Sequence, residues 1–337
     1  MTRKKLHQTT MVAACFSALC ADGAMDAFHW NARIGKGVNM GNMLEAPRES
    51  AWDVQLEEEY FDLIKEAGFT SVRIPVRWSA HAADEAPYQI DARFLQRVDE
   101  VVKQALSRDL MVLLNIHHYH EFMEDPEAHK DRVLGIWKQL SEHYRNQPRE
   151  LCFEVLNEPT DKVTPDIWNN VQNRAIELIR KTNPDRIIFV APLGWNRIEH
   201  LKNLTLPSDD PNLIASVHFY EPFWFTHQGA AWVEHKIPVG GEWRGTDEQK
   251  AEIRTDLDEA MKWSKENGVP INVGEFGAYS KADMESRARW TTFLCREMEK
   301  RGMSWNYWEF CSSFGVYDPD TGTWRNPLLK ALIPPTD

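Results

Sequence analysis

The segment "LCFEVLNEP" (residues 151–159) alternates apolar side chains and then ends in Asn157, Glu158 and Pro159. Alternation of this kind predicts a buried or half-buried β-strand. A carboxylate that follows such a strand is either a polar terminus or a chemical group. The choice between the two depends on whether another strand of the chain delivers a second carboxylate beside it.

Seven other short segments are also rich in apolar and β-branched residues, as strands are. The longer stretches between them place apolar residues every three to four positions, which is the period of an amphipathic helix. The strand candidates are "GKGVNMGN" (35–42), "TSVRIPVRW" (70–78), "LMVLLNIHHY" (110–119), "RIIFVAPLG" (186–194), "LIASVHFYEP" (213–222), "PINVGEFG" (270–277) and "SWNYWEF" (304–310). The helical patterns include residues 56–69, 91–109, 131–147 and 284–302. Eight strands that alternate with helices predict an α/β fold, a single (β/α)8 TIM barrel.

The barrel is predicted to occupy residues 27–335 as one domain, because no repeat, low-complexity tract or linker interrupts this region. Residues 1–26 have a basic start and a short apolar stretch, which predicts a signal peptide or a disordered leader. A leader of this kind favours a secreted or periplasmic protein, although a cytoplasmic location stays open. No stretch approaches the roughly 20 apolar residues of a membrane span.

The composition narrows the classes of partner. Of the 337 residues, 42% are hydrophobic and 27% are charged, which is ordinary for a globular protein with a large core. The formal net charge of -12 argues against nucleic acids and anionic membranes as partners, because both attract basic patches. The 14 tryptophans suit core packing or stacking on sugar rings. The five cysteines lack metal-type spacing and are predicted to be mostly free and buried.

Reactive groups of such barrels project from the C-terminal ends of the strands. The polar residues at those ends are Asn39, Asn42, Arg73, His117, His118, Asn157, Glu158, His218, Tyr220, Glu275, Trp308 and Glu309. Glycoside hydrolysis requires two carboxyl groups, and this sequence supplies two glutamates on separate strands. It has no nucleophilic Ser or Cys motif and no phosphate loop nearby that would indicate a different reaction. The separation of the two glutamates, roughly 5 Å for retention of configuration and roughly 6.5–9.5 Å for inversion, is left open by the sequence.

Seven motifs occur in an order and spacing that resembles glycoside hydrolase family 5, a retaining (β/α)8-barrel family of clan A. They are "GVNMGN", "VRIPVRW", "NIHHY", "FEVLNEP", "HFYEPF", "VGEFG" and "YWEFCSSFGVYD", and the resemblance covers about residues 28–333. It is strongest to a bacterial subgroup of endo-β-1,4-glucanases that also cut β-mannans, which shares "GNMLEAP", "FTHQGAAWVE" and "VGEFGAYSKADMESR". The resemblance implies a bacterial cellulase with glucomannan or mannan as a further substrate.

The resemblance also implies roles for particular residues, with Glu158 as the general acid/base and Glu275 as the nucleophile. The side chains expected to support catalysis are Arg73, His117, Asn157, His218 and Tyr220. Those expected to bind substrate are Asn42, Glu45, His118, His227, Trp232, Trp308 and Glu309. Arg73 and the Tyr220 hydroxyl are expected to favour the ionised form of Glu275. The charge of Glu275 is expected to keep Glu158 protonated near neutral pH.

No metal and no cofactor are expected, and the expected partner is a polysaccharide bound by a monomer. Three alternatives stay open. A metal-dependent hydrolase would use nitrogen ligands from His117, His118, His120 and His218. A sugar-binding barrel without catalysis would bind the same polymers. An endo-β-1,4-mannanase would have mannan as its main substrate.

Overall fold

The computed structural model describes residues 26–335 of the chain. Eight parallel strands close into one barrel, in which each strand pairs with the next along the chain and the last pairs with the first. They are β1 (Lys36–Asn39), β2 (Ser71–Ile74), β3 (Met111–Asn115), β4 (Leu151–Glu154), β5 (Ile188–Val190), β6 (Leu213–His218), β7 (Ile271–Glu275) and β8 (Ser304–Tyr307). Each predicted strand segment contains one of these strands, so the predicted TIM barrel is confirmed.

Helices occupy the connections and form the outer layer. They are α1 (Ala27–Ile34), α2 (Glu59–Ala67), α3 (Ala92–Leu106), α4 (His120–Glu124), α5 (Pro126–His143), α6 (Pro165–Arg180), α7 (Leu193–Asn196), α8 (Phe223–Thr226), α9 (Asp247–Asn267), α10 (Met284–Lys300) and α11 (Asn326–Leu332). Two short strands, β9 (Tyr317–Asp318) and β10 (Thr323–Trp324), pair antiparallel before α11. The four predicted helical patterns correspond to α2, α3, α5 and α10.

The long helices begin where the sequence supplies a cap. Asp91 and Thr164 accept hydrogen bonds from amides in the first turns of α3 and α6. Thr246 and Gln249 form a capping box at the start of α9. Because each helix follows a strand, these caps set the length of the loops at the C-terminal end of the barrel.

Apolar side chains form two buried clusters. The larger one joins the strands to the surrounding helices. The smaller one joins α1 to the barrel interior and includes Trp30, Ile34, Leu113, Phe189 and Ile214. The side chain of Asn31 on α1 donates hydrogen bonds to the backbone oxygens of Ile271 and Gly302 at 3.1 and 3.2 Å. Helix α1 therefore closes the N-terminal end of the barrel and leaves the other end open.

The predicted leader lies outside the described residues except for Asp26, which caps α1. Cys152, Cys295 and Cys311 are free and buried, as predicted, and Cys15 and Cys20 lie outside the described residues. Among residues 26–335, no helix is both long enough and apolar enough to cross a membrane.

The strand that carries the opening motif is shorter than its alternation suggests. Strand β4 ends at Glu154, and Glu158 follows in the connection after it. Glu158 has a backbone φ of 48°, in the left-handed region that residues other than glycine rarely adopt. Its amide donates a hydrogen bond to Asn196 Oδ1 at 3.1 Å. Glu158 therefore lies on a constrained turn above the barrel rather than on the strand itself.

Gly37 of β1 faces a space that leaves no room for a side chain. A Cβ atom there would lie 2.0 Å from Asn306 Nδ2 and 2.3 Å from Ser71 Oγ. We expect Gly37→Ala to lower the free energy of unfolding by about 3 kcal/mol, because overpacking displaces neighbouring side chains. Urea unfolding measures this loss. The loss should be smaller in a Ser71→Ala background, which removes one colliding atom, and an equal loss in both backgrounds would contradict the collision.

Candidate active site

Side chains from four strands meet around Arg73 at the C-terminal end of the barrel. The guanidinium of Arg73 is fully buried. Its Nε donates to Glu154 Oε2 at 2.7 Å, and its Nη2 donates to Glu154 Oε1 at 3.2 Å and to Asn157 Oδ1 at 2.7 Å. Its Nη1 donates to Asn39 Oδ1 at 2.9 Å and to Glu275 Oε1 at 2.7 Å. These five hydrogen bonds use the full donor set of the guanidinium.

Two carboxylates compensate the buried charge of Arg73. Burial alone would lower the pKa of this guanidinium, but Glu154 and Glu275 raise it. A buried cation without such partners would strongly destabilise the fold. The sequence predicted the contact with Glu275, whereas the paired hydrogen bonds with Glu154 place an additional carboxylate in the site.

Two donors hold Glu275 at the end of β7, each on a different oxygen. Arg73 donates to Oε1, and the Tyr220 hydroxyl donates to Oε2 at 3.0 Å. Burial raises the pKa of Glu275 above its ordinary value, while His218 and Arg73 lower it. The two expected hydrogen bonds to this carboxylate are therefore present, and both stabilise its ionised form.

Glu158 has a different partner. Its Oε1 lies 2.8 Å from His218 Nδ1, and 26% of its side chain is exposed. Burial is the main cause that raises the pKa of Glu158 to about 7, with Arg73 acting against it and Glu154 adding to it. Burial, rather than the expected charge of Glu275, therefore dominates this rise. A carboxyl group with such a pKa still holds its proton for part of the time at neutral pH.

The two carboxyl groups lie close together. Glu158, His218 and Glu275 each present one atom, and these three atoms lie within 4.8 Å of one another. Retaining glycosidases hold their two carboxyl groups about 5–5.5 Å apart, whereas inverting enzymes leave about 6.5–9.5 Å for a water molecule. One oxygen of Glu158 and one of Glu275 are thus at most 4.8 Å apart, which is compatible with the closer spacing of retaining enzymes.

These three side chains also form the one cluster, within the described part of the chain, that has the spacing of metal ligands. A cation would meet the guanidinium of Arg73, which already lies 2.7 Å from Glu275. A cation bound to the same carboxylate would be a like charge close to this guanidinium, and like charges repel in a buried site. His117, His118 and His120, which a metal-dependent hydrolase would use, are not part of the cluster. The surroundings therefore suit two carboxyl groups better than a metal ion.

His117 and Trp308 stack beside the carboxyl groups, with ring centroids 5.9 Å apart and planes 7° from parallel. The ring of His117 is oriented by Asn115, whose Nδ2 lies 3.0 Å from His117 Nδ1 and 3.0 Å from Glu154 Oε2. Burial lowers the pKa of His117 well below its ordinary value, so the imidazole is neutral. A Cβ atom on Gly41 would lie 3.0 Å from the Trp308 ring, so glycine allows the indole to approach the loop after β1.

A cleft of about 1240 Å³ extends from Glu158 over the loops that follow β5 and β6 to one face of α9. Its lining includes Glu158, Trp195, His218, Tyr220, His227 and Trp232. His227 stacks on Phe223 with ring centroids 4.1 Å apart, and Trp232 is 57% exposed. Exposed aromatic faces of this kind suit the apolar faces of sugar rings.

Two further residues expected to bind substrate keep part of their surface accessible. His118 is half-buried, and its ring meets that of Trp52 edge to face at 5.8 Å. Asn42 is half-buried and has a φ of 66°. Their contact with substrate stays a prediction.

Glu45 and Glu309 are fully buried, and their expected contact with substrate stays a prediction. The carboxylate of Glu45 accepts hydrogen bonds from the backbone amides of Asn42 and Met43. That of Glu309 accepts hydrogen bonds from three backbone amides within residues 311–314. Burial raises the pKa of Glu45 to about 8 and that of Glu309 to about 7. Both side chains therefore stabilise their loops, because they supply the hydrogen-bond acceptors that buried backbone amides need.

Three side chains of the site were missed from the sequence. Glu154 and Asn115 are the last residues of β4 and β3, and each follows an apolar run in its strand. A polar side chain at the end of a buried strand is a signal that could have identified both. Asn196, which accepts the hydrogen bond from the Glu158 amide, lies in an irregular turn with positive φ and gives no such signal.

A family model described as cellulase, glycosyl hydrolase family 5, matches residues 34–313. The chain belongs to glycosyl hydrolase family 5. Endoglucanase H of Acetivibrio thermocellus is a relative that is 36% identical over 318 residues, which cover 93% of this chain and 34% of the relative. The chain thus spans about a third of the length of this curated relative.

Solved structures of the family agree with this assignment. Thermotoga maritima Cel5A in complex with mannotriose is 48% identical to this chain with a TM-score of 0.90, and the match covers 91% of this chain and 100% of that one. The same protein in complex with cellobiose is 49% identical with a TM-score of 0.90, at the same coverage of both chains. This family 5 chain and these relatives therefore share the whole barrel.

The pair of Arg73 and Glu154 provides a test of how the buried charges are balanced. We expect Glu154→Gln to lower the free energy of unfolding by about 3 kcal/mol, because it leaves part of the Arg73 charge uncompensated. Glu150→Gln is a matched control, since Glu150 pairs with Arg33 at the partly exposed surface. The control should lose less than about 1 kcal/mol. Equal losses of unfolding free energy in the two variants would show that the buried ion pair stabilises the fold no more than the exposed one.

Proposed function

We propose that this chain is a retaining endo-β-1,4-glucanase, a cellulase, that hydrolyses β-1,4-glucans by double displacement. One observation carries the proposal: two carboxyl groups, each with an oxygen within 4.8 Å of one on the other, have opposite surroundings. Glu275 receives hydrogen bonds from Arg73 and Tyr220, whereas Glu158 faces His218. One carboxyl group is suited to stay ionised and the other to hold a proton. Membership of glycosyl hydrolase family 5 supports the same reaction.

In the first step, the carboxylate of Glu275 attacks the anomeric carbon while Glu158 gives its proton to the leaving glycosidic oxygen. The bond between that carbon and that oxygen breaks, and an ester between the sugar and Glu275 forms. In the second step, the carboxylate of Glu158 takes a proton from a water molecule, whose oxygen attacks the same carbon. The ester bond breaks, Glu275 is ionised again, and the product keeps its original configuration.

Other side chains of the site have supporting roles in this proposal. Asn157 accepts from Arg73 through Oδ1, so its Nδ2 is left to donate to the 2-hydroxyl of the sugar next to the scissile bond. Such a contact strengthens in the transition state. His117 and His218 orient Trp308 and Glu158, and Trp308 is the platform under the sugar. His118, His227, Trp232 and Asn42 bind further along the cleft.

The substrate is proposed to be a neutral β-1,4-linked polymer. The sequence carries a net charge of -12, which disfavours anionic polymers. A similar protein has been crystallised with cellobiose and with mannotriose. These complexes favour glucan and mannan as the two candidates for this chain, with mannan hydrolysis as the second candidate function. The two sugars differ in configuration at the 2-hydroxyl, where the amide of Asn157 acts.

The remaining expectations concern the cellular setting. The named relative comes from a bacterium. We propose a bacterial monomer that acts outside the cytoplasm, where its polymeric substrate is found, and without metal or cofactor. Gel filtration and a chelator control on activity test these points.

The direct test is a reducing-end assay on carboxymethylcellulose, barley β-glucan, glucomannan and galactomannan. We expect hydrolysis of barley β-glucan and glucomannan, and weaker hydrolysis of galactomannan. Preference for galactomannan would establish the mannanase alternative. Binding of these polymers without any release of reducing ends would instead support a non-catalytic sugar-binding barrel.

Removal of the nucleophile should abolish hydrolysis. We expect Glu275→Ala to lack activity on all four polymers, and azide to restore cleavage of an activated β-glycoside. The azide would occupy the space of the carboxylate and give the glycosyl azide of inverted configuration. Glu266→Ala, on the exposed face of α9, is the control and should keep full activity. A glycosyl azide of retained configuration would exchange the roles of the two glutamates.

Removal of the acid should matter only when the leaving group needs a proton. We expect Glu158→Ala to lose about 10²–10⁴-fold in kcat/KM on polysaccharide, the usual contribution of general acid catalysis. An aryl glycoside with a dinitrophenolate leaving group should still form the covalent intermediate, visible as a burst of phenolate. Mass spectrometry would detect the intermediate on Glu275. Its absence would contradict the assignment of Glu158 as the acid.

A further inference from the structure

A chain of hydrogen-bonded side chains runs through the barrel from its closed end toward the carboxyl groups. It begins at Asn31, whose Nδ2 donates to the backbone oxygens of Ile271 and Gly302, which fixes the orientation of this amide. Asn31 Oδ1 therefore accepts from the Ser304 hydroxyl at 2.6 Å. Ser304 Oγ in turn accepts from Asn272 Nδ2 at 2.7 Å. Each donor in the chain is thus fixed by the one before it.

The chain leaves the Oδ1 atom of Asn272 as an acceptor that points away from Ser304. Among the described residues, Asn272 Oδ1, Ser216 Oγ and His218 Nε2 are buried and have no protein hydrogen-bond partner. These three atoms surround the same place, because a Cβ atom on Gly274 would lie 3.5, 2.5 and 3.3 Å from them, respectively. Each of the three side chains is at most 4% exposed. The absence of a side chain on Gly274 therefore leaves a polar pocket behind His218.

The pocket has a surplus of acceptors. If the imidazole carried its proton on Nδ1, the three atoms would all be acceptors and would share one hydrogen, that of the Ser216 hydroxyl. A proton on Nε2 supplies a second hydrogen and turns one acceptor into a donor. A bridging water molecule would add as many donors as acceptors, so the surplus would persist. Buried polar groups without partners cost about 1–3 kcal/mol each, which is enough to select one tautomer.

We propose that Asn272 and Ser216 are positioning residues that hold His218 as the tautomer protonated on Nε2, so that Nδ1 is an acceptor for the proton of Glu158. The consequence for catalysis rests on the function proposed above; the tautomer itself does not. With the lone pair of Nδ1 facing Glu158 at 2.8 Å, the protonated carboxyl group is favoured over the carboxylate. The pocket thereby helps Glu158 to act as an acid.

Other titratable groups also face Glu158 and His218. They are Glu275 from β7, Arg73 from β2, Glu154 from β4, His117 after β3 and Tyr220 after β6. Arg73 favours the ionised form of Glu158, and Glu154 opposes it. Burial lowers the pKa of His218 to about 4, so the imidazole is neutral over the range in which Glu158 titrates. For a neutral imidazole, the position of the single proton decides which partner donates.

The tautomer can be measured directly in the wild-type protein. Long-range proton–nitrogen correlation of histidine-labelled protein distinguishes protonation on Nε2 from protonation on Nδ1, and His218→Asn assigns the signal by its loss. We expect protonation on Nε2 at mildly acidic pH. Protonation on Nδ1 would overturn the proposal. The measurement needs no activity, so it separates this proposal from the proposed function, which the absence of β-glucan hydrolysis would refute by itself.

The pH dependence of kcat/KM tests whether the tautomer of His218 helps Glu158 to keep its proton. The double variant Ser216→Ala with Asn272→Ala removes both acceptors and should move the alkaline limb of kcat/KM on β-glucan down by about one pH unit, since His218 can then donate to the ionised Glu158. Ser141→Ala with Asn183→Ala is the matched control, because this Ser and Asn are also buried, and Asn183 donates to the backbone oxygen of Ser141 at 2.8 Å in the helical layer. The limb should not move in the control.

A loss of activity that is equal at all pH values would show a structural role only and would overturn the link to Glu158. If the double variant does not fold, Ser216→Ala and Asn272→Ala are measured separately, and the tautomer of the wild-type protein still decides. An aryl glycoside that needs no acid should keep its alkaline activity in every variant that folds. Loss of that activity would also count against the proposal.

Discussion

The buried guanidinium of Arg73 is the interaction on which the rest of the site depends. It donates to side chains from β1, β4 and β7 and from the turn after β4, so one cation fixes the relative positions of four segments. Such a group is tolerated in a barrel core only because Glu154 and Glu275 balance its charge. Since the geometry of a planar guanidinium is rigid, the carboxylate of Glu275 is held in place before any substrate binds.

The polar interior has a second consequence, which concerns the difference between the two carboxyl groups at the barrel mouth. Burial raises the pKa of both Glu158 and Glu275, so desolvation alone does not distinguish the two carboxyl groups. The hydrogen-bond partners do, because Glu275 meets a cation and a hydroxyl group while Glu158 meets an imidazole nitrogen. Two neighbouring carboxyl groups in one desolvated site therefore differ in which protonation state their partners favour.

The sequence predicted the fold well because a barrel repeats a simple pattern. Alternation and length identify β1 to β8, and the three-to-four-residue period of apolar side chains identifies α2, α3, α5 and α10. The prediction of side-chain environment was less reliable where a side chain is hydrogen-bonded to backbone amides. Glu45 and Glu309 were predicted to line the cleft. In the structure, each carboxylate accepts hydrogen bonds from backbone amides of its own loop. Loop amides are invisible in a residue pattern, so this use of a carboxylate could not be anticipated.

Glu158 was predicted as a site residue from the sequence, whereas Glu154 was not. Both glutamates belong to one short motif, and the motif alone makes the second one conspicuous because it follows the apolar run. Strand β4 actually ends at Glu154, and the backbone then turns through a positive φ at Glu158. The strand therefore fixes the carboxylate that balances Arg73, and the turn presents the one that is partly exposed to the cleft. The point at which the strand ends therefore decides which of two identical side chains is buried against Arg73 and which faces the cleft.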